Sequence, residues 1–340
     1  MRTHHVPSTD GVVLEVHDRG TSPSSSSSGL ERDEPTVLLL AHANGFHSRT
    51  WDAAAEELMR VASCAEGLGG RTGGVRVITF SFRAHGKSTA PISGGRDALR
   101  WGKFSEDLLA VVEQTPGLVR GKLVGIGHSL GAHAMLRAEA SRPGTFASLY
   151  CFEPIFVCDP GKLPPFVPMS LERAAARRRR TFPSRSDARA AYGSKPPLNI
   201  LQSEVLDAYV RHGFVDAAGG EKGEVTLACT PETESTVFAC GGVEAEANEL
   251  VGGGKVRCPV TVAHGATHDP RDVYGRSPND AIYSSIISPV IAEYIGENAF
   301  VEYAPALTHF GPLQDTVWFA KSVGAHLSRV GVANKWRSRL

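Results

Sequence analysis

No apolar run in the 340-residue sequence approaches the roughly 20 residues that a membrane-spanning helix needs. Charge of one sign is not in excess either, because 36 basic residues balance 36 acidic ones. The overall charge therefore favours neither nucleic acid nor an anionic membrane surface as a partner. The first residues, Met1 to His5, contain no apolar segment of the kind found in a secretory signal. We expect a protein with no membrane span, no nucleic-acid partner and no secretory address.

Cysteine is sparse, and its spacing argues against the common cysteine-based sites. The six cysteines include no CxxC pair and no zinc-finger spacing, so we expect reduced thiols, mostly in the core of an intracellular protein. Two histidines four residues apart, His264 and His268, lack a firm third ligand. We therefore predict no metal and no other cofactor.

Strand-like and helix-like stretches alternate along most of the chain. Alternation around Asp10-Gly11 predicts an opening hairpin. Continuous apolar runs beyond it are typical of strands buried on both faces of a parallel sheet, and helical spacing follows them. This rhythm predicts an α/β fold with a doubly wound, mostly parallel sheet and ligands at the carboxyl ends of its strands. The predicted strands are Thr36–Ala41, Val75–Phe80, Leu123–Gly127, Phe146–Phe152, Val256–Ala263 and Phe300–Tyr303.

Two segments interrupt this rhythm. Residues 20–34 are a Ser-rich, low-complexity stretch and predict a disordered insertion. Residues 159–234 are rich in proline and arginine and show no strand–helix alternation, so we predict an inserted helical cap over the site. The core is then formed by residues 1–158 and 235–340. Within the cap, the run Arg177–Arg180 is interpreted as a solvated helix face, with the holding of an anionic substrate tail as the alternative.

The strongest chemical signal is Gly127-x-Ser129-x-Gly131, which follows an apolar run and precedes an Ala-rich helical pattern. A strand that turns sharply into a helix exposes the central side chain at the sheet edge, and glycines are needed where a Cβ would collide. The N-terminus of the helix also favours a developing negative charge. These features predict that Ser129 is a nucleophile.

Two further motifs stand at predicted strand ends, His42-Ala43-Asn44-Gly45-Phe46 and Thr308-His309-Phe310-Gly311-Pro312-Leu313. In this order, the three motifs resemble those of the α/β-hydrolase superfamily, and are similar to those of fungal peroxisomal lipase-like proteins and uncharacterised bacterial serine hydrolases. The resemblance implies the α/β-hydrolase fold and the chain order nucleophile, acid, histidine. It also implies that His309 is the general base, and that the backbone N–H groups of Asn44 and Leu130 form the oxyanion hole.

The acid of the implied triad has two candidates. The family usually carries an aspartate three residues after the glycine that ends the seventh strand, where this sequence has His268, and Asp269 follows one residue later. Some members carry the acid at the end of the sixth strand, which is Glu153 here, while Asp272 is a weaker third candidate. One acceptor suffices to fix the tautomer of His309. Asp269 and Glu153 therefore stay as alternatives.

These residues predict a cofactor-free serine hydrolase that cleaves an ester or thioester of a small acyl substrate, such as a lipid or acyl-CoA, through an acyl-enzyme. The alternatives are a carbon–carbon hydrolase or perhydrolase on the same triad, and a non-catalytic ligand-binding protein on the hydrolase fold. The ending Ser338-Arg339-Leu340 is a close variant of the Ser-Lys-Leu peroxisomal address. We therefore expect a peroxisomal import receptor as a partner, with a cytoplasmic location as the alternative.

Overall fold

The computed structural model describes residues 1–21, 34–63, 74–156, 169–241, 247–266 and 278–331. The Ser-rich insertion lies almost entirely outside these ranges. Four of the six cysteines lie within them, at positions 151, 229, 240 and 258, and all four are buried free thiols. None of the helices in the described ranges is long and apolar enough to cross a membrane.

The described chain alternates between strands and helices over most of its length. Its strands are β1 (Arg2–Pro7), β2 (Val13–Thr21), β3 (Thr36–Ala41), β4 (Val75–Phe80), β5 (Leu123–His128), β6 (Ser148–Phe152), β7 (Thr181–Phe182), β8 (Phe214–Asp216), β9 (Val225–Leu227), β10 (Val260–Gly265) and β11 (Ala299–Ala304). Its α-helices are α1 (Asp52–Ser63), α2 (Trp101–Gln114), α3 (Leu130–Ser141), α4 (Met169–Ala176), α5 (Arg185–Gly193), α6 (Ser203–Gly213), α7 (Pro231–Gly241), α8 (Ala247–Val251), α9 (Pro278–Ile295), α10 (Gly311–Gln314) and α11 (Thr316–Arg329). Short 3-10 helices cover Thr9–Gly11, Ser48–Trp51, Gly95–Leu99 and Leu198–Ile200.

Eight strands form one sheet in the order β1-β2-β4-β3-β5-β6-β10-β11. The pairs β1–β2 and β2–β4 are antiparallel, and every later pair is parallel. This confirms the predicted mostly parallel, doubly wound sheet. The strand order reverses between β3 and β5, and such a switch point opens a crevice at the carboxyl ends of the two strands. The loop after β3 and the predicted nucleophile after β5 both lie at this crevice.

Side chains of the sheet alternate between two cores, one on each face. In β3, Leu39 belongs to the core that contains residues of α2, α3 and α9, whereas Leu38 and Leu40 belong to the core that contains residues of α1 and α11. Successive side chains of a strand point to opposite faces, so a strand covered by helices on both sides must be apolar throughout. This requirement explains the continuous apolar run of β3.

The segment predicted to form the cap contains helices α4, α5 and α6, and also a small antiparallel sheet in the order β7-β9-β8. Its strands of two or three residues are too short to produce a recognisable alternation in the sequence. Helix α6 packs on α1 and on the 3-10 helix Ser48–Trp51, and α4 packs on α7. The predicted border between residues 234 and 235 lies inside α7.

Candidate active site

Ser129 occupies a sharp turn between β5 and α3. Its φ of 55° and ψ of −116° lie in a region that residues with a Cβ rarely adopt, at a cost of roughly 1–3 kcal/mol. Two main-chain hydrogen bonds hold this conformation: the Ser129 N–H donates to Phe152 O over 2.9 Å, and His133 N–H donates to Ser129 O over 3.0 Å. The strained serine is therefore fixed by the neighbouring strand and by its own helix.

The glycines on either side of the serine have no room for a side chain. A Cβ on Gly127 would lie 2.4 Å from Ala132 Cα, and a Cβ on Gly131 would lie 2.3 Å from Ala41 O. Helix α3 thus begins in direct contact with the ends of β3 and β5. Its first N–H groups, including that of Leu130, have no intrahelical acceptor and point toward the crevice end of the helix.

His309 and Glu153 form a hydrogen-bonded pair across 156 residues of sequence. The His309 Nδ1–H donates to Glu153 Oε2 over 2.6 Å, since a carboxylate can only accept. This bond leaves Nε2 of His309 as the unprotonated nitrogen of the neutral ring. The imidazole can then take a proton at Nε2, and the carboxylate can stabilise the resulting cation.

Both carboxylate oxygens of Glu153 accept hydrogen bonds, Oε2 from His309 Nδ1–H and Oε1 from Gly265 N–H over 2.8 Å. The main chain of Glu153 is also held, because its N–H donates to Ala263 O over 2.8 Å. Glu153 directly follows β6, has a positive φ of 44° and is only 1% exposed. Because β10 lies beside β6 in the sheet, a glutamate at this position can reach the loop after β11 across the end of β10.

His128 connects the His309 loop to the serine turn. Its Nε2–H donates to the carbonyl oxygen of His309 over 2.7 Å, and the two ring centroids lie 4.9 Å apart. Burial, together with the neighbouring His309, lowers the pKa of His128 well below its usual value. His128 is therefore a neutral brace, and it holds His309 next to the residue that precedes Ser129.

The loop after β3, residues 42–46, lies on the other side of the crevice. Buried His42 accepts from Phe82 N–H through Nε2 over 3.0 Å and donates from Nδ1 to Ala43 O over 2.8 Å, so its neutral ring braces the loop. Gly45 N–H donates to His85 Nε2 over 3.1 Å. The described residues provide no acceptor for the backbone N–H of Asn44. This N–H is therefore available to a bound group.

Several predicted site residues lie outside the described ranges, namely His268, Asp269, Asp272 and the tripeptide Ser338, Arg339 and Leu340. His264 is described, and its ring packs on Tyr303 with centroids 5.0 Å apart. No group of three potential metal ligands was found among the described residues. The structure thus brings together Glu153 and His309 of the predicted set, next to the turn that carries Ser129.

Sequence reasoning gave no role to Glu234, whose contacts with the site are formed in the folded chain. The side-chain Nδ2 of Asn44 donates to Glu234 O over 3.0 Å, although 190 residues separate the two. No motif surrounds Glu234, so no signal in the sequence could have pointed to it.

The mostly parallel sheet and the strained serine between β5 and α3 define an enzyme of the α/β-hydrolase class. The family model described as the alpha/beta hydrolase family matches residues 38–321, which is most of the chain. The chain belongs to this family and is a hydrolase. A comparison with curated proteins finds no match.

Several solved structures similar in fold to this chain are those of hydrolases. The peroxisomal α/β-hydrolase Lpx1 from Saccharomyces cerevisiae has a TM-score of 0.68 and 16% identity, over 99% of this chain and 87% of the other. E-2-(acetamidomethylene)succinate hydrolase has a TM-score of 0.66 and 15% identity, over 95% and 98%. A thermophilic esterase from Thermogutta terrifontis has a TM-score of 0.61 and 17% identity, over 97% and 99%. At these identities the likeness is one of fold.

Proposed function

We propose that this hydrolase cleaves an ester or thioester through an acyl-enzyme formed on Ser129, with His309 as general base and Glu153 as the acid of the triad. The observation that carries the proposal is the 2.6 Å hydrogen bond from His309 Nδ1–H to Glu153 Oε2, beside the strained Ser129 turn. A serine, a base and a buried carboxylate that orients the base are the set of groups that acyl transfer requires.

In the proposed mechanism, Ser129 Oγ attacks the substrate carbonyl while His309 Nε2 takes the hydroxyl proton. The backbone N–H groups of Asn44 and Leu130 donate to the oxyanion of the tetrahedral intermediate. Protonated His309 then gives its proton to the leaving alcohol or thiol, and the acyl group stays on Ser129. Water, deprotonated by His309, attacks this acyl-enzyme; His309 then returns the proton to Ser129 Oγ as the carboxylic acid is released.

Glu153 is proposed as the triad acid in preference to Asp269. Its two carboxylate oxygens are taken by His309 Nδ1–H and by Gly265 N–H, so its orientation is fixed before substrate arrives. A fixed acceptor holds His309 in the tautomer that keeps Nε2 free of its proton. Replacement of each acid by its amide distinguishes the two candidates.

We propose a lipid-like or acyl-CoA-like substrate, with peroxisomal import through Ser338, Arg339 and Leu340. A peroxisomal hydrolase and a thioesterase domain from the curacin biosynthetic pathway are among the structures of similar fold. Carbon–carbon hydrolysis and perhydrolysis use the same triad. The first differs in the bond that the enzyme breaks, and the second differs in the nucleophile, because hydrogen peroxide instead of water attacks the acyl-enzyme.

A fluorophosphonate probe tests the reaction class. The wild-type protein should be labelled at Ser129, and Ser129→Ala should not be labelled although it folds. Release of p-nitrophenol from p-nitrophenyl butyrate, and of thiol from butyryl-CoA, then compares ester with thioester cleavage. A folded wild-type protein that neither reacts with the probe nor turns over either substrate would be a ligand-binding protein on the hydrolase fold, and the proposal would be wrong.

A further inference from the structure

Glu234 contacts Asn44 and Gly45, two consecutive residues of the loop 42–46 (the oxyanion loop). Its carbonyl oxygen accepts from Asn44 Nδ2 over 3.0 Å. Its side-chain Oε1 lies so close to Gly45 that a Cβ added there would be 2.7 Å away. Glu234 stands in the first turn of α7 and is 8% exposed. A carboxylate from α7 therefore lies directly against the loop whose Asn44 N–H is proposed to bind the oxyanion.

The charge of Glu234 is paired with Arg178, which follows α4. Arg178 Nη1 donates to Glu234 Oε2, and Nη2 donates to the hydroxyl groups of Tyr209 and of Tyr192, the latter over 3.3 Å. The side chains of Arg178 and Glu234 are 20% and 10% exposed. The run Arg177–Arg180 follows the end of α4 at Ala176, so its interpretation as a helix face was wrong. Arg177, Arg179 and Arg180 are exposed, whereas Arg178 is partly buried. Packing of α4 on α7 brings Arg178 inward.

Arg178 also reaches the oxyanion loop through Tyr209. The ring of Tyr209 lies 5.4 Å from that of Phe46, and the Tyr209 carbonyl accepts from His47 Nε2 over 3.1 Å. The ion pair therefore contacts both ends of the segment Asn44–His47, directly at one end and through one tyrosine at the other.

The opposite side of the loop is held by the core. Gly45 N–H donates to His85 Nε2, and the ring of His42 is fixed by Phe82 N–H. The loop thus lies between hydrogen bonds from the turn after β4 and contacts from α7. A buried carboxylate against this loop would repel an oxyanion bound there, because both are negative and burial weakens the screening by water. Pairing with Arg178 removes that repulsion while the contacts of Glu234 with the loop remain.

We propose that Glu234 and Arg178 are positioning residues for the oxyanion loop. Glu234 holds Asn44 and Gly45 in the geometry that aims the Asn44 N–H, and Arg178 neutralises Glu234 so that its charge does not oppose the tetrahedral intermediate. The inference rests on the proposed function, because it assigns the pair a task in forming the oxyanion hole.

Three variants test the pair: Arg178→Gln, Glu234→Gln and the double variant. Arg178→Gln leaves the Glu234 carboxylate uncompensated beside the loop, so we expect kcat for p-nitrophenyl butyrate to fall about 10- to 100-fold with KM changed less than about threefold. The double variant removes both charges, so its kcat should recover at least about threefold over Arg178→Gln. Glu234→Gln keeps the carbonyl that accepts from Asn44, and its loss of kcat should be the smaller of the two single losses.

The matched control is Asp207→Asn. Asp207 pairs with Arg189 between α6 and α5, in the same segment, and among the described residues it has no hydrogen bond to the oxyanion loop. Its kcat should stay at the wild-type value. In the inactive Ser129→Ala background, hydrogen exchange of the peptide covering residues 42–46 should accelerate on addition of Arg178→Gln and stay unchanged on addition of Asp207→Asn.

The inference is overturned if Arg178→Gln keeps the wild-type kcat, or if the double variant is no faster than Arg178→Gln. A purely structural role would lower thermal stability and kcat together and give no such recovery. Failure of the proposed function looks different, because the wild-type protein itself would then not be labelled by the fluorophosphonate.

Discussion

The clearest consequence of the site geometry concerns the change Glu153→Gln. In the wild-type protein Glu153 accepts two hydrogen bonds, from Gly265 N–H and from His309 Nδ1–H. A glutamine has one oxygen and one amide nitrogen, and its oxygen must face Gly265 because a main-chain N–H can only donate. Its NH₂ group then faces His309 Nδ1. The ring must place its proton on Nε2, which is the nitrogen that should receive the serine proton.

The size of the effect follows from the same geometry. For charges about 4 Å apart and an effective dielectric constant of about 20, loss of the carboxylate removes ~4 kcal/mol of stabilisation from the imidazolium, or roughly 10³-fold in rate. The wrong tautomer adds to this loss, and replacement of a triad acid by its amide lowers kcat by about 10⁴-fold in a well-studied serine protease. We expect a loss of about 10³- to 10⁴-fold in kcat for Glu153→Gln.

The assay is release of p-nitrophenol from p-nitrophenyl butyrate at pH 7.5, with circular dichroism to establish that each variant is folded. Asp269→Asn is the matched control, because Asp269 is the alternative acid on sequence grounds. Its kcat should stay within about threefold of the wild-type value. If Glu153→Gln keeps more than about a tenth of the activity and Asp269→Asn loses about 10³-fold or more, the assignment of the acid is wrong.

Three further predictions concern packing, pH and location. Gly265→Ala places a Cβ about 2.5 Å from Leu307 O, so the loop that carries His309 must shift. We expect kcat to fall at least about tenfold. An unchanged kcat would show that the loop tolerates the displacement. Burial lowers the pKa of both His47 and His85 to about 4. Because the unfolded chain binds these protons near pH 6.5 and the folded chain does not, the free energy of unfolding should decrease as pH falls from about 6.5 to 4, by up to ~3 kcal/mol for each histidine. Urea unfolding at pH 7 and pH 5 measures this, and equal midpoints would contradict it. A fluorescent protein fused after Leu340 should abolish import into peroxisomes, whereas an N-terminal fusion should be imported; import of both would refute the tripeptide as the address.

The sheet could be predicted from the sequence because buried parallel strands leave a strong local signal. The bounds of β3 and β4 agree with the predicted Thr36–Ala41 and Val75–Phe80. Helices cover both faces of these strands, so most positions must be apolar, and this pattern is visible in the sequence without knowledge of the neighbouring strands. The small sheet of β7, β8 and β9 left no such signal, because its strands are only two or three residues long.

The geometry of the site could be predicted only where it is local. Ser129 and its two glycines lie within five residues, and the close contacts at Gly127 and Gly131 are encoded by the absence of side chains. The pairing of Glu153 with His309 and that of Glu234 with Asn44 join residues more than 150 positions apart. No spacing rule connects such residues, so sequence alone left two acids open and gave no sign of Glu234.

Gly265 contacts both the Glu153 carboxylate and the loop that leads to His309. Its N–H orients the Glu153 carboxylate, and its missing side chain admits the backbone of Leu307 and Thr308, where a Cβ would lie 2.5 Å from Leu307 O and 2.8 Å from Thr308 O. The loop that carries His309 can therefore close over the end of β10 and bring Nδ1 to the carboxylate from β6. A larger residue at the end of β10 would hold this loop further from Glu153. The close backbone approach that Gly265 permits thus accompanies the 2.6 Å hydrogen bond between His309 Nδ1 and Glu153 Oε2.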